Sequence, residues 1–212
     1  MSSIDELLRH PGIWRARSQG GSLQPGLPTG FSALDRCLPG GGWPRQGLIE
    51  ILADRHGIGE LSLLMPALAA LCNEEREGGW LAWVSPPYQP YVPALAACGI
   101  DVQRVLVVRS GPAAWAMEQS LRSGACSAVL GWVDPIDLQS LRRLQLAAEQ
   151  ACCLAVIFRR LRDGREPSPA VLRIALDAGL DGLALQIEKS RGGRPTRVQL
   201  GPISGPMQAA AH

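Results

Sequence analysis

Five short, mostly apolar runs recur along this chain, and segments with helical spacing separate them. The runs are residues 48–52, 80–84, 105–108, 128–133 and 153–158, and the segments between them are 61–76, 90–98, 112–122 and 137–150. A strand that is apolar at odd and even positions alike must be buried on both faces. Such strands alternating with helices specify an α/β fold, with a mostly parallel sheet and helices on both sides. After Arg160 the alternation stops. Residues 183–188 and 196–200 read as a C-terminal hairpin on the edge of the sheet, and 171–176 fits a strand or a helix.

The chain has 212 residues, 46% hydrophobic and 19% charged, which suits one globular core with arms. The expected division is an N-terminal helix and linker arm over 1–25, a core over 26–202 and a mobile tail over 203–212. No apolar run reaches the roughly 18–20 residues of a membrane span; residues 61–72 come nearest but include Ser62 and Pro66. The N-terminus is polar, without a signal-peptide core, so a cytoplasmic protein without membrane contact is expected. The six cysteines show no Cys-x-x-Cys spacing and the three histidines do not join them, which points to reduced, packed thiols and no metal. In the arm, Ser3 and Glu6 have capping-box spacing. Ile4, Leu7 and Leu8, with Trp14 beyond the Pro11-Gly12 stop, form a packed cap or a docking patch. The other five tryptophans are read mostly as core.

Of 21 basic residues one is a lysine, Lys189. The turn after the first strand reads Asp54-Arg55-His56-Gly57-Ile58-Gly59-Glu60-Leu61-Ser62. Strand, glycine-containing loop and helix are arranged as in a phosphate-binding loop, but Glu60 and Leu61 stand where lysine and Ser/Thr are needed. Glu60 opposes phosphate, and Leu61 cannot hold magnesium. The strand over 128–133 reaches its first acid only at Asp134, and Ser85-Pro86-Pro87 ends the strand over 80–84 without a glutamate. Gly57, Gly59, Glu60 and Leu61 therefore read as a vestigial, degenerate P-loop. The expectation is a pseudo-ATPase with no catalytic residue and no cofactor; a fold that never bound nucleotide explains the same residues.

Leu27-Pro28-Thr29-Gly30-Phe31-Ser32-Ala33-Leu34-Asp35, the segment from Gly40 to Ile51, the strand ending in Arg159-Arg160 and the turn Lys189-Ser190-Arg191-Gly192-Gly193-Arg194-Pro195 occur in the order of RecA-family motifs. Together they resemble a RecA-like core. Within that superfamily the lysine-free loop and the Lys-Ser-Arg-Gly-Gly-Arg-Pro segment resemble the ImuA family most. That resemblance implies a non-catalytic accessory factor of the bacterial SOS mutasome, supporting error-prone translesion DNA synthesis. Its implied partners are an ImuB-type inactive Y-family polymerase homologue, a DnaE-type polymerase and RecA. SulA, a shorter relative that inhibits division through FtsZ, is the alternative. The glutamine that senses γ-phosphate in recombinases falls at Arg160.

From residue 159 onward there are nine basic and five acidic residues. Arg159, Arg160, Arg162 and Arg165 read as solvated surface, as a partner or filament contact, or as weak phosphate-backbone contacts to DNA. Lys189, Arg191 and Arg194 beside the hairpin read as surface or as an interface, including one for self-association.

Overall fold

The computed structural model describes residues 25–73, 79–161, 167–179 and 181–202. The arm residues Ile4, Leu7, Leu8 and Trp14, and Arg162, Arg165 and the tail, lie outside them. Eight strands form one sheet: β1 Leu48–Ala53, β2 Trp80–Val84, β3 Val105–Val108, β4 Cys126–Trp132, β5 Leu154–Arg160, β6 Leu172–Gly179, β7 Gly182–Ser190 and β8 Thr196–Leu200. Their order is β3-β2-β4-β5-β1-β6-β7-β8. The first six are parallel; β7 and β8 run antiparallel as an edge hairpin. The ambiguous segment is thus a strand, because β1 offers its free edge to Leu172–Gly179.

Helices α1 Ser32–Asp35, α2 Met65–Asn73 and α3 Val92–Ala97 lie against one face, where Leu34, Leu68 and Leu95 join Ile49, Ile51, Leu130 and Val156. Helices α4 Ala113–Arg122 and α5 Leu138–Ala151 cover the other, where Met117, Leu141 and Leu144 meet Leu48, Val129 and Ile157. Asp137 caps α5 by accepting from the Ser140 amide at 2.8 Å. Gln145, buried on α5, accepts from the Leu48 amide at 2.9 Å and so anchors the start of β1.

Helix α2 is shorter than its sequence pattern. Residues 60–64 form turns, and the helix begins at Met65 with Pro66 in its first turn. Proline supplies no amide to bond an earlier carbonyl, so it is tolerated only there. The Pro-Thr-Gly segment is a structural staple. Buried Thr29 accepts from the Phe31 amide through Oγ1 at 3.0 Å and donates its own amide to Asp35 at 2.9 Å. Gly30 turns at φ +85°, where a Cβ would lie 2.5 Å from Pro66 Cβ. The tryptophans divide. Trp43, Trp83 and Trp132 are core, whereas Trp80 at the mouth of β2 is 44% exposed and Trp115 on the outer side of α4 is 57% exposed.

One acid sits inside the sheet. Glu50 of β1 is fully buried between Arg159 of β5, at 2.5 Å, and Arg173 of β6, at 2.8 Å. Burial pushes its carboxyl up, but hydrogen bonds from Arg173, Ser168 and Arg159 outweigh that and hold it below its ordinary 4.5. Glu50→Gln leaves two buried guanidiniums without their counter-charge. It is expected to cost about 3–5 kcal/mol in urea unfolding. Because the folded value is depressed, Glu50 contributes fully above 4.5, and its contribution is lost as pH falls through the lower folded value. The wild-type urea midpoint should therefore fall on acidification below that range, and part of that fall should be absent in the Gln variant.

Candidate functional site

Ligands of parallel α/β sheets bind beyond the carboxyl ends of the strands, and the loop after β1 begins there. Gly57 turns at φ +82° and Gly59 at φ +111°. This backbone aims the successive amides of Gly57 and Ile58 at one point, and the carboxylate of Glu60 occupies it. Gly57 N donates to Oε1 at 2.8 Å and Ile58 N to Oε2 at 2.9 Å. Convergent amides of this kind form an anion-binding concavity. The anion here is supplied by the same loop, and Glu60 is only 4% exposed. Ile58 and Leu61 pack on the core beneath, which fixes the loop from its apolar side. A phosphate reaching the same amides would face a carboxylate; at ~4 Å and an effective dielectric near 20 that repulsion is about 4 kcal/mol.

The neighbouring strand ends are also filled. Ala53 pairs with Arg160 in register, and Val133 N donates to Phe158 O at 3.3 Å. Arg160 then bonds Asp134 across the ends of β5 and β4, Nε to Oδ2 at 3.1 Å. Below them Trp132 stacks on Phe158 with centroids 4.6 Å apart and tilts against Trp83 at 6.0 Å. Two open cavities lie at the opposite, amino end. One cavity of about 310 Å³ is lined by Leu27, Trp80, Cys126 and Cys152, and another of about 200 Å³ by Leu38, Arg45, Val171 and Arg191.

The basic residues singled out by the sequence do not form one surface. Arg159 is buried, at 3% exposure, and serves Glu50; the expectation of a partner or DNA contact there fails, because alternation along β5 turns it into the sheet's covered face. Arg160 is half-exposed at the carboxyl end. Lys189, Arg191 and Arg194 lie at the amino end, since β7 runs antiparallel and Ser190 pairs with Leu172. Strands of this length separate the two ends by about 20 Å. Lys189 Nζ donates to Ser168 O at 2.7 Å, and burial, then Arg173 and Arg191, depress its pKa. Arg191 makes an exposed pair with Glu149 at 3.5 Å. Sequence reasoning missed Glu50 and Arg173; the signal was an acid in an otherwise apolar strand, which requires a buried cation.

A family model described as "Cell division inhibitor SulA" matches residues 48–155, from the first residue of β1 into β5. The chain belongs to the ImuA/SulA family. It is 34% identical over 140 residues to the cell division inhibitor SulA of Edwardsiella piscicida, covering 65% of this chain and 82% of that one. It is 28% identical over 199 residues to Protein ImuA of Caulobacter vibrioides, covering 81% of each. The crystal structure of SulA from Pseudomonas aeruginosa aligns over 53% of this chain and 97% of that one, at 25% identity and a TM-score of 0.43. The residues matched by the SulA model include the Glu60 loop and α2 to α5; strands β6 to β8 lie beyond them.

Removing the internal anion should loosen this loop. Glu60→Ala is expected to cost about 1.5–3 kcal/mol, the range for hydrogen bonds to a charged group. It should also speed amide exchange at Gly57 and Ile58 while the β-sheet amides stay protected. Unchanged exchange at those two amides would show that Glu60 does not hold the loop.

Proposed function

We propose that this protein is a non-catalytic, RecA-like accessory protein of the SOS mutasome. It supports error-prone translesion synthesis through protein contacts. The observation that carries the non-catalytic part is the Glu60 carboxylate seated on the Gly57 and Ile58 amides. A group that fills the loop's donors with negative charge competes directly with a nucleotide's phosphates. The Arg160–Asp134 pair supports the same reading, since it engages the acid after β4 that would otherwise face a metal. The parallel six-strand core with its edge hairpin, and the motif order from Thr29 to Pro195, support the RecA-like description. The ImuA side of the family is favoured by the extent of that likeness, 81% of this chain against 65% for the SulA relative. In this reading the partners are an ImuB-type polymerase homologue, a DnaE-type polymerase and RecA, and the protein acts in the cytoplasm.

A SulA-like inhibitor of FtsZ is the second reading, favoured by the family model and the higher identity of the SulA relative. Two measurements separate the proposals. Titration calorimetry with Mg-ATP should show neither micromolar binding nor hydrolysis, and either one sinks the pseudo-ATPase. Deleting the gene should lower damage-induced mutation frequency without altering cell length. Filamentation on overexpression with unchanged mutagenesis would instead establish the division inhibitor.

A further inference from the structure

The two edges of the sheet are finished differently. At β8 the exposed positions Arg197 and Gln199 are polar and flank buried Val198. At the other edge β3 is Val105-Leu106-Val107-Val108, all apolar and none buried. Among the described residues β3 has one neighbour in the sheet, β2, so the outer row of its backbone N–H and C=O groups faces outward. Edge strands are normally blunted by charge, proline or a bulge. No charge or proline falls within β3, and its pairing with β2 runs in register without a shift.

The side chains extend the apolar character of this edge. Leu106 aligns with Ala82, which belongs to the core on the α4 side, so Leu106 points to that face and is 45% exposed. The next helix on that face carries Trp115, 57% exposed. Charge brackets the strand. Arg109 is exposed at its carboxyl end, and Arg104 at its amino end is tied to Asp101 at 3.4 Å. A second copy pairing antiparallel on β3 would set Arg104 of one chain opposite Arg109 of the other at both ends, and like charges directly opposite destabilise a strand pair.

We propose that the outer edge of β3 accepts an extended segment of a partner protein as a ninth strand. That segment has apolar residues at alternate positions and an acidic end that meets Arg109. Backbone hydrogen bonds supply the pairing, Leu106 and its surroundings take the apolar side chains, and exposed Arg109 selects the acidic end, Arg104 being engaged by Asp101 and the Cys72 carbonyl. This deepens the protein-contact reading by naming a surface and the chemistry of its occupant.

The test uses the full chain and two labelled probe peptides of alternating valine and threonine, one ending in aspartates and one in lysines, read by fluorescence anisotropy. The aspartate probe should bind about tenfold more tightly than the lysine probe, the scale of one charge contrast at an interface. Arg109→Glu should abolish or invert that preference, and Leu106→Asp should weaken both probes. Arg109 is exposed, so its variant keeps the test informative if Leu106→Asp does not fold, which circular dichroism would reveal. Three outcomes overturn the proposal: no binding of the aspartate probe, equal binding of the two, or a preference that Arg109→Glu leaves unchanged. Dimerisation abolished by Leu106→Asp and not competed by the aspartate probe overturns it as well, because the edge then holds a second copy. Mutation frequency plays no part in this readout, so failure here is distinct from failure of the mutasome reading.

Discussion

Glu50 holds two guanidiniums, one from the strand on each side of β1, and the organisation of the sheet depends on that carboxylate. Arg159 reaches it from β5 and Arg173 from β6. The cluster stands where the parallel strands meet the C-terminal hairpin, because β6 pairs with β1 on one side and with β7 on the other. A buried charge is costly unless it is paired and hydrogen-bonded, so each member specifies the other two. Lys189 lies directly across from Arg173, and burial, then the charges of Arg173 and Arg191, lower that ammonium's pKa.

The same economy governs the carboxyl end. Several polar groups there are engaged with one another: loop amides with Glu60, and Arg160 with Asp134. Ile58 and Leu61 lock the loop to an apolar floor that includes Trp132 and Phe158. The features that still look outward are different in kind: an unguarded strand edge at β3 and exposed arginines distributed over both ends of the sheet. Such features are the ones on which the proposed association with other chains rests.

The runs over 80–84 and 105–108 match β2 and β3 residue for residue, because each is apolar throughout and ends at its turn residues. The C-terminal hairpin shows a different pattern, apolar residues alternating with polar ones, because its strands bury one side and expose the other. Helix α2 was overextended, since the periodic pattern continues through 61–64, where the chain makes separate turns before Pro66, which has no amide to continue them. Glu60 was recognised as the residue that breaks the loop's chemistry, but its seat on the Gly57 and Ile58 amides was not. That geometry depends on positive φ at Gly57, which a residue list does not state. Arg159 was read with Arg160 as one basic surface; adjacent residues on a strand point to opposite faces, and the partner that draws Arg159 inward is more than a hundred positions away in sequence.

By itself, the sequence determined the fold class, the order of strands and helices along the chain, and the absence of lysine from the turn after β1. These follow from local periodicity and residue identity, which act over a few positions. Tertiary structure alone decided which charges are structural and which are available. It buried Arg159 and Arg173 against Glu50, parted Arg160 from Lys189 by the length of the sheet, and left β3 as an open edge. Those outcomes depend on strand neighbours distant in the chain, and a buried charge has no stable state until its partner arrives beside it.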